Sequence, residues 1–399
     1  MLNHPNISPW PHYEADEIEA ATKTLATGKV NYWTGDLGKQ FEIAYAAHIG
    51  QEYGIALSNG TVALELALRA LDIGADDEVI VASRSYVASA SCVMMVGAKP
   101  IFADVDIQSG NITPETIRPL ITNKTKAIIP VHVGGWPCDM SAIMDLANQY
   151  GIKVIEDCAQ AHGAIIDNKP VGAWGHAAIF SFCQDKIIST GGEGGMLLLK
   201  TESAYKKAWA YKDIGRSYDA VYNTEHAEGF RWLVESAGSN FRMTEFQAAI
   251  GLKQLEKLPD WIVKRNHNAN ALTETLAHFD FIETPILTSS EGSQNAYYRL
   301  YSKVKTNVVL NKLSGAGLRD YIIKQLTVSG VPCFSGSCAE VYREKIFTEL
   351  APRSRLPNAS IFSDYSFCLL VHHTISSEQL GMMKATLNQV LSELITFDV

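Results

Sequence analysis

Positive charge is in deficit in this chain. It carries 34 lysines and arginines against 43 acidic residues, a net charge of −9. General attraction to nucleic acid is thereby disfavoured, and no nucleic-acid partner is expected. A small anionic ligand stays compatible, because local amides and a few arginines bind phosphate in acidic proteins too. Long apolar runs are missing: no window approaches the roughly 20 apolar residues of a membrane span. The N-terminus, MLNHPNISPWPHYEADE, lacks the basic region and apolar core of a signal peptide. The expectation is a soluble, cytoplasmic protein with no membrane partner.

Paired-cysteine motifs are missing as well. The seven cysteines, Cys92, Cys138, Cys158, Cys183, Cys333, Cys338 and Cys368, are scattered and odd in number, with no CxxC pair. They read as buried reduced thiols, and no metal site is expected. There is no HExxH, no Walker loop, no nucleophile elbow and no GxGxxG after the first strand. The last absence argues against a nucleotide-sugar oxidoreductase on a Rossmann sheet.

What is present is ordinary globular composition, 47% hydrophobic and 19% charged over 399 residues. That is enough chain for one large and one small domain. From about residue 77, short apolar runs alternate with helical patterns. EVIVAS (78–83), KAIIPV (126–131), IKVIED (152–157), AAIFSF (177–182) and GMLLLK (195–200) read as strands. TPETIRPLI (113–121) and MSAIMDLANQYG (140–151) read as helices, the first with a Thr cap and an early proline. This βαβ rhythm predicts a mostly parallel sheet flanked by helices. Residues 243–257 and 261–279 read as two long helices. A strand at AYYRLYSKV (296–304), a helix at 318–330, a short strand at VPCF and a closing helix at 376–394 follow. The boundary is placed near residue 262: a large domain over 1–262, and a smaller α+β domain over 263–399.

Ligands of open parallel sheets bind outside the carboxyl ends of the strands, and three stretches occupy such places. In SNGTVALELALRAL (58–71), a turn at Asn59-Gly60-Thr61 opens an apolar helix, whose free N–H groups and partial positive charge suit a phosphate; a plain helix cap is the simpler alternative. In IKVIEDCAQAHGA (152–164), Glu156 and Asp157 end an apolar strand. Strand alternation points them opposite ways, so they are no shared acid–base dyad. One of them suits a cationic ring nitrogen, unless it is only a surface acid. In FSFCQDKIISTGGEGGMLLL (180–199), Lys186 sits among residues that read as buried, with Ser181 before it and Gly191–Gly195 after it. Burial makes a lysine amine available as a nucleophile toward carbonyls, although a solvated loop lysine fits the stretch alone. Together a phosphate site, a carboxylate for a pyridinium and a Schiff-base lysine are the parts of a pyridoxal phosphate site. The glycines are then left to make room for cofactor and sugar.

On these residues the chain resembles the DegT/StrS-type sugar-nucleotide aminotransferases, within the fold type I pyridoxal phosphate enzymes. The resemblance covers nearly the whole chain. It rests on SNGTVALELAL, EDCAQAHGA, FSFCQDKIISTGGEGGM and GSNFRMTEFQAAIG (238–251), in that order. It implies a fold type I architecture, with a mostly parallel seven-stranded sheet and a smaller α+β C-terminal domain, and pyridoxal 5'-phosphate as cofactor. By position it implies that Lys186 holds the cofactor as a Schiff base, Asp157 pairs with the ring nitrogen and Gln160 meets the ring hydroxyl. Gly60, Thr61 and Ser181 would bind the phosphate, Tyr86 would stack on the ring, and Asn240 would reach the phosphate of a neighbouring subunit. The last role implies a homodimer with shared active sites.

The resemblance also implies transamination with L-glutamate, yielding 2-oxoglutarate and aminating a nucleotide-diphosphate keto sugar. Lys186 favours this over dehydration, for which some members carry a histidine there. The GGEGG form looks like the perosamine-type members, which points to C4 of an NDP-4-keto-6-deoxyhexose and to amino-sugar and polysaccharide biosynthesis. Amination at C3 of a 3-keto sugar is the alternative, and a non-catalytic ligand sensor on the same fold is a further one. Cys183, His132 and His162 read as structural. Arg231, Arg242 and Arg299 are candidates for the substrate's diphosphate.

Overall fold

A computed structural model describes residues 7–287, 292–310 and 312–396. Seven strands form the main sheet: β1 (Tyr53–Leu57), β2 (Glu78–Ala82), β3 (Lys99–Ala103), β4 (Thr125–Ile129), β5 (Lys153–Asp157), β6 (Ala177–Ser181) and β7 (Gly195–Leu199). Their spatial order is β1-β7-β6-β5-β4-β2-β3. Neighbours from β6 to β3 run parallel. Only β7 opposes its two neighbours.

The apolar runs follow from burial on both faces. In β7, Leu197 and Leu199 join one core cluster while Met196 and Leu198 join another. Alternation thus sends successive leucines to opposite sides of a sheet covered on both, so no polar position survives. Each fully buried aliphatic side chain of this kind contributes about 1.5–3 kcal/mol.

A second, antiparallel sheet follows: β8 (Ile282–Glu283), β9 (Leu300–Val304), β10 (Cys333–Phe334) and β11 (Ser366–Leu369), in the order β8-β9-β11-β10. Its core takes Leu318, Ile322 and Leu326 from the helix Gly315–Val328 and Met383, Leu387 and Leu391 from the helix Ser377–Thr396. Those spacings of four set one helical stripe against the sheet.

Residues 243–279, read as two helices, form one. Glu245–Leu276 runs for 32 residues with Pro259 inside it. An interior proline costs about 3 kcal/mol through its lost bond and ring clash. Leu258, Trp261 and Ile262 on either side of it are buried, and that packing carries the helix through. The helix passes from the core of the main sheet, at Ile262, to that of the second sheet, at Ala269.

Candidate active site

A cavity of about 940 Å³ opens at the carboxyl ends of the parallel strands. That volume lies toward the upper end of small-molecule sites. Gly60, Thr61, Tyr86, Asp157, Gln160, Ser181 and Lys186 all line it. They come from four separate chain segments, brought together by the sheet order.

The first wall is the start of the helix Gly60–Ala70. Asn59 caps it by accepting from the Val62 N–H at 3.0 Å. Gly60 and Thr61 line the cavity, and their amides, in the first turn, have no intrahelical acceptor. Gly60 has no room for a side chain: a Cβ there would stand 2.8 Å from that of Ser181. The close approach sets the Ser181 hydroxyl beside the two amides, an arrangement suited to a dianion.

The second wall is the end of β5. Asp157 and Glu156 are both buried and diverge. Glu156 accepts from the backbone N–H groups of Gly172, Trp174 and Gly175 at 2.6–2.8 Å on the far side. Asp157 faces the cavity, where the Ser89 hydroxyl donates to Oδ2 at 2.7 Å and the Ala159 N–H to Oδ1 at 3.1 Å. Burial pushes its carboxyl above the ordinary value, against the pull of Ser89, Ala159, Lys186 and His132. Among the described residues no basic side chain forms a salt bridge with it. A buried carboxylate so placed fits a ligand that brings its own cation.

Lys186 stands on the turn after β6. Among the described residues its ion-pair partner is Asp185, with Nζ 3.7 Å from Oδ1. Gln160 accepts from the Gly134 N–H at 2.8 Å and donates to the Ser337 hydroxyl at 3.2 Å. Tyr86 is 67% exposed at the cavity's mouth. His162 supports Ser181 from behind. Its Nε2 donates to the Ser181 carbonyl at 3.0 Å, so Nδ1 accepts from the Tyr45 hydroxyl at 2.7 Å. Burial, with Lys186 and Arg265 nearby, pushes its pKa down to about 3.

Several expectations need correction. The glycines Gly191, Gly192, Gly194 and Gly195 do not line the cavity. Gly191 and Gly192 turn the chain at positive φ. Gly194 packs against Met243 and Phe182, and Gly195 lies directly on the Asn59 carbonyl. Cys183, read as packing, is half-buried and lines the cavity, and Cys338, read as buried, lines it as an exposed residue. Arg242 is spoken for by Asp213 at 2.6 Å, and Arg231 is exposed. Arg299 does line the cavity. Asn240 is exposed and lies outside its own chain's cavity. Sequence reasoning did not find Ser89, Tyr298, Tyr301 or Ser337 on the wall. Ser89 meets Asp157 across 68 residues of chain, and no local pattern marks such a contact.

The profile of the DegT/DnrJ/EryC1/StrS aminotransferase family matches residues 11–387. The chain belongs to that family. Its fold is that of the fold type I aminotransferases, and it is a pyridoxal 5'-phosphate-dependent aminotransferase of the sugar aminotransferase type. It is 31% identical to the 3-amino-5-hydroxybenzoate synthase of Amycolatopsis mediterranei over 386 residues, 93% of each chain. It is 40% identical to the GDP-perosamine synthase of Caulobacter vibrioides over 281 residues, 69% of this chain and 72% of that one. Among solved structures, an aminotransferase from Psychrobacter cryohalolentis superposes with a TM-score of 0.95 at 47% identity, covering 98% of this chain and all of that one. Among the described residues, no helix is long and apolar enough to cross a membrane.

Proposed function

We propose that this aminotransferase moves an amino group from L-glutamate to C4 of a nucleotide-linked 4-keto-6-deoxy sugar, as a homodimer. The observation that carries the reading is the convergence on one cavity of Lys186, Asp157 and the amides of Gly60 and Thr61. Those three sets fit the aldehyde, the ring nitrogen and the phosphate of the cofactor. The likeness to GDP-perosamine synthase supports a nucleotide-linked amino sugar as product. Amination at C3 is the second outcome of the same test.

When bound, pyridoxal phosphate supplies an electron sink for the pair left behind as a proton leaves the amine-bearing carbon. The chain's residues do the rest. Gly60, Thr61 and Ser181 hold the phosphate and so fix the register of the ring. Asp157, kept in place by Ser89, holds a proton at the ring nitrogen. Lys186 Nζ, once freed, would act as both base and acid, taking the proton from the donor's amine-bearing carbon and delivering it to the carbon on the other side of the nitrogen. Gln160 orients the ring edge through the hydroxyl.

The second subunit enters through Asn240. In this proposal it completes the phosphate site of the neighbouring copy. Exposed Phe230 and Trp232, 78% and 83% exposed, lie in the segment leading to it and support a buried contact there. The test is a screen of keto-sugar nucleotides with L-glutamate, read by mass and NMR of the amino sugar. An amine at C4 supports the reading. Failure to aminate any nucleotide-linked keto sugar overturns it.

A further inference from the structure

The residue before Lys186 has no part in the reading above. Asp185 lies in FSFCQDK and lines the same cavity. Its Oδ1 faces Lys186 Nζ at 3.7 Å. Its Oδ2 is tied down from the other side: the Tyr298 hydroxyl donates to it, and a guanidinium nitrogen of Arg299 lies 3.7 Å away. Tyr298 is buried, so its hydroxyl requires an acceptor, and Asp185 is that acceptor. The ring of Tyr298 also underlies the lysine, with Nζ 5.0 Å from its centroid, and Arg299 stacks on the same ring at 4.7 Å. One carboxylate oxygen is thus anchored by two residues just ahead of β9, which leaves the other aimed at the amine.

We propose that Asp185, clamped by Tyr298 and Arg299, is a positioning residue that holds Lys186 Nζ in place and favours its protonated state while the cofactor is bonded to it. Asp157 and Asp185 then act on opposite ends of one conjugated system, the first at the ring nitrogen and the second at the lysine nitrogen. The inference rests on Lys186 being the lysine that carries the cofactor.

The groups around the amine leave this role to Asp185. Asp157 is engaged with Ser89 and Ala159. Cys183 and Glu193 also line the cavity; Glu193 accepts from the Cys183 thiol at 4.0 Å, and among the described residues it forms no ion pair with Lys186, whose partner is Asp185. Burial pushes the Cys183 thiol up, so it stays neutral. Burial pushes the Tyr298 phenol up in the same way. His162, down at about 3, is uncharged above that pH. Arg299 is a cation and opposes protonation, so its effect has the wrong sign. For Asp185 itself burial raises the carboxyl, but Lys186, Tyr298 and Arg299 outweigh it and hold it below the ordinary value. It is therefore ionised at neutral pH.

The test uses the holoenzyme. Borohydride reduction and peptide mass mapping first locate the cofactor on the wild-type chain and on Asp185→Asn. The pH at which the cofactor's visible band converts is then measured for both. Asp185→Asn is expected to lower that midpoint by about one unit, the lower end of what a close opposite charge produces. Asp185→Glu is expected to restore most of the shift. Tyr298→Phe, which frees the carboxylate without removing its charge, should move the midpoint the same way by less. An unchanged midpoint in Asp185→Asn, with the cofactor mapped to Lys186, overturns the proposal alone. Mapping to another lysine overturns the Lys186 assignment as well.

Discussion

Trp10 donates its indole N–H to the main-chain carbonyl of Lys186 at 2.8 Å. The two residues are 176 positions apart. The contact is part of a strap. Tyr13 pairs with Ser189 at 3.1 Å, Ser8 donates to Gln379 at 2.9 Å, and Thr374 donates to the Pro9 carbonyl at 3.3 Å. The Trp10 ring meets Trp261 and His373 edge-on, at 5.7 and 4.8 Å between centroids. The N-terminal segment therefore ties the lysine turn to the long helix and to the chain after β11.

Trp10→Phe keeps most of that packing and removes one hydrogen bond. The expected loss is about 1 kcal/mol of unfolding free energy. Trp10→Ala removes the ring too, and about 3–5 kcal/mol is expected. Urea unfolding of both variants checks the order. If Phe proves as costly as Ala, the packing of the ring is not the main contribution.

Lys186→Ala should abolish turnover. The variant should also retain no covalently bound cofactor after borohydride treatment and gel filtration, because among the described residues Lys186 is the one lysine that lines the cavity. Retained wild-type turnover would dispose of the proposed mechanism.

Gly195→Ala tests the close approach of β7 to the turn at Asn59–Thr61, the proposed phosphate site. An added Cβ meets backbone, the Asn59 carbonyl, and backbone yields poorly. A loss of about 1–3 kcal/mol is expected, together with weaker retention of pyridoxal phosphate, since Asn59 and Gly60 must shift. Gly192→Ala is the contrast. Nothing crowds a Cβ there, and its cost comes from positive φ alone. Thermal unfolding and cofactor titration of the pair separate the two causes, and equal cofactor affinities would contradict the assignment.

His162 gives the fold an acid-sensitive support. Its folded pKa of about 3 lies below the ordinary value of 6.5. Burial favours the neutral ring, which donates to the Ser181 carbonyl and accepts from the Tyr45 hydroxyl. The native state thus binds fewer protons than the unfolded one. Its stabilising effect is full above pH 6.5 and is lost as pH falls toward 3. His162→Gln keeps a donor for Ser181 and removes the titration, so its stability should decline less steeply across that window. Parallel urea midpoints at several pH values provide the measurement, and identical slopes would refute the reading.

Five strands of the main sheet are legible in the chain because burial on both faces leaves runs such as EVIVA and GMLLL with no polar interruption. β1, YGIAL, is as buried but carries only two large aliphatic residues, and it escapes a reading by hydrophobicity. The helix Glu245–Leu276 is legible as helix but not as one helix, since a proline marks a break locally and only tertiary packing closes it. The Gly191–Gly195 run shows the same limit. Composition announces a need for space or turning, whereas the neighbour that demands it, Asn59, is remote in sequence.

The chemistry follows a similar division. Residue types at motif spacing pointed to a lysine, an acid and a helix start as parts of one proposed cofactor site, and the fold lines one cavity with all three, because each sits where a strand ends and a ligand can reach. What surrounds them was decided in three dimensions. Ser89 on Asp157, His162 behind Ser181, Asp185 between Tyr298 and Lys186, and Trp10 on the lysine's carbonyl are single contacts across long stretches of chain. They leave no periodic trace in the sequence, because a hydrogen bond needs only one donor and one acceptor brought within 3 Å or so, and the folded sheet alone brings them there.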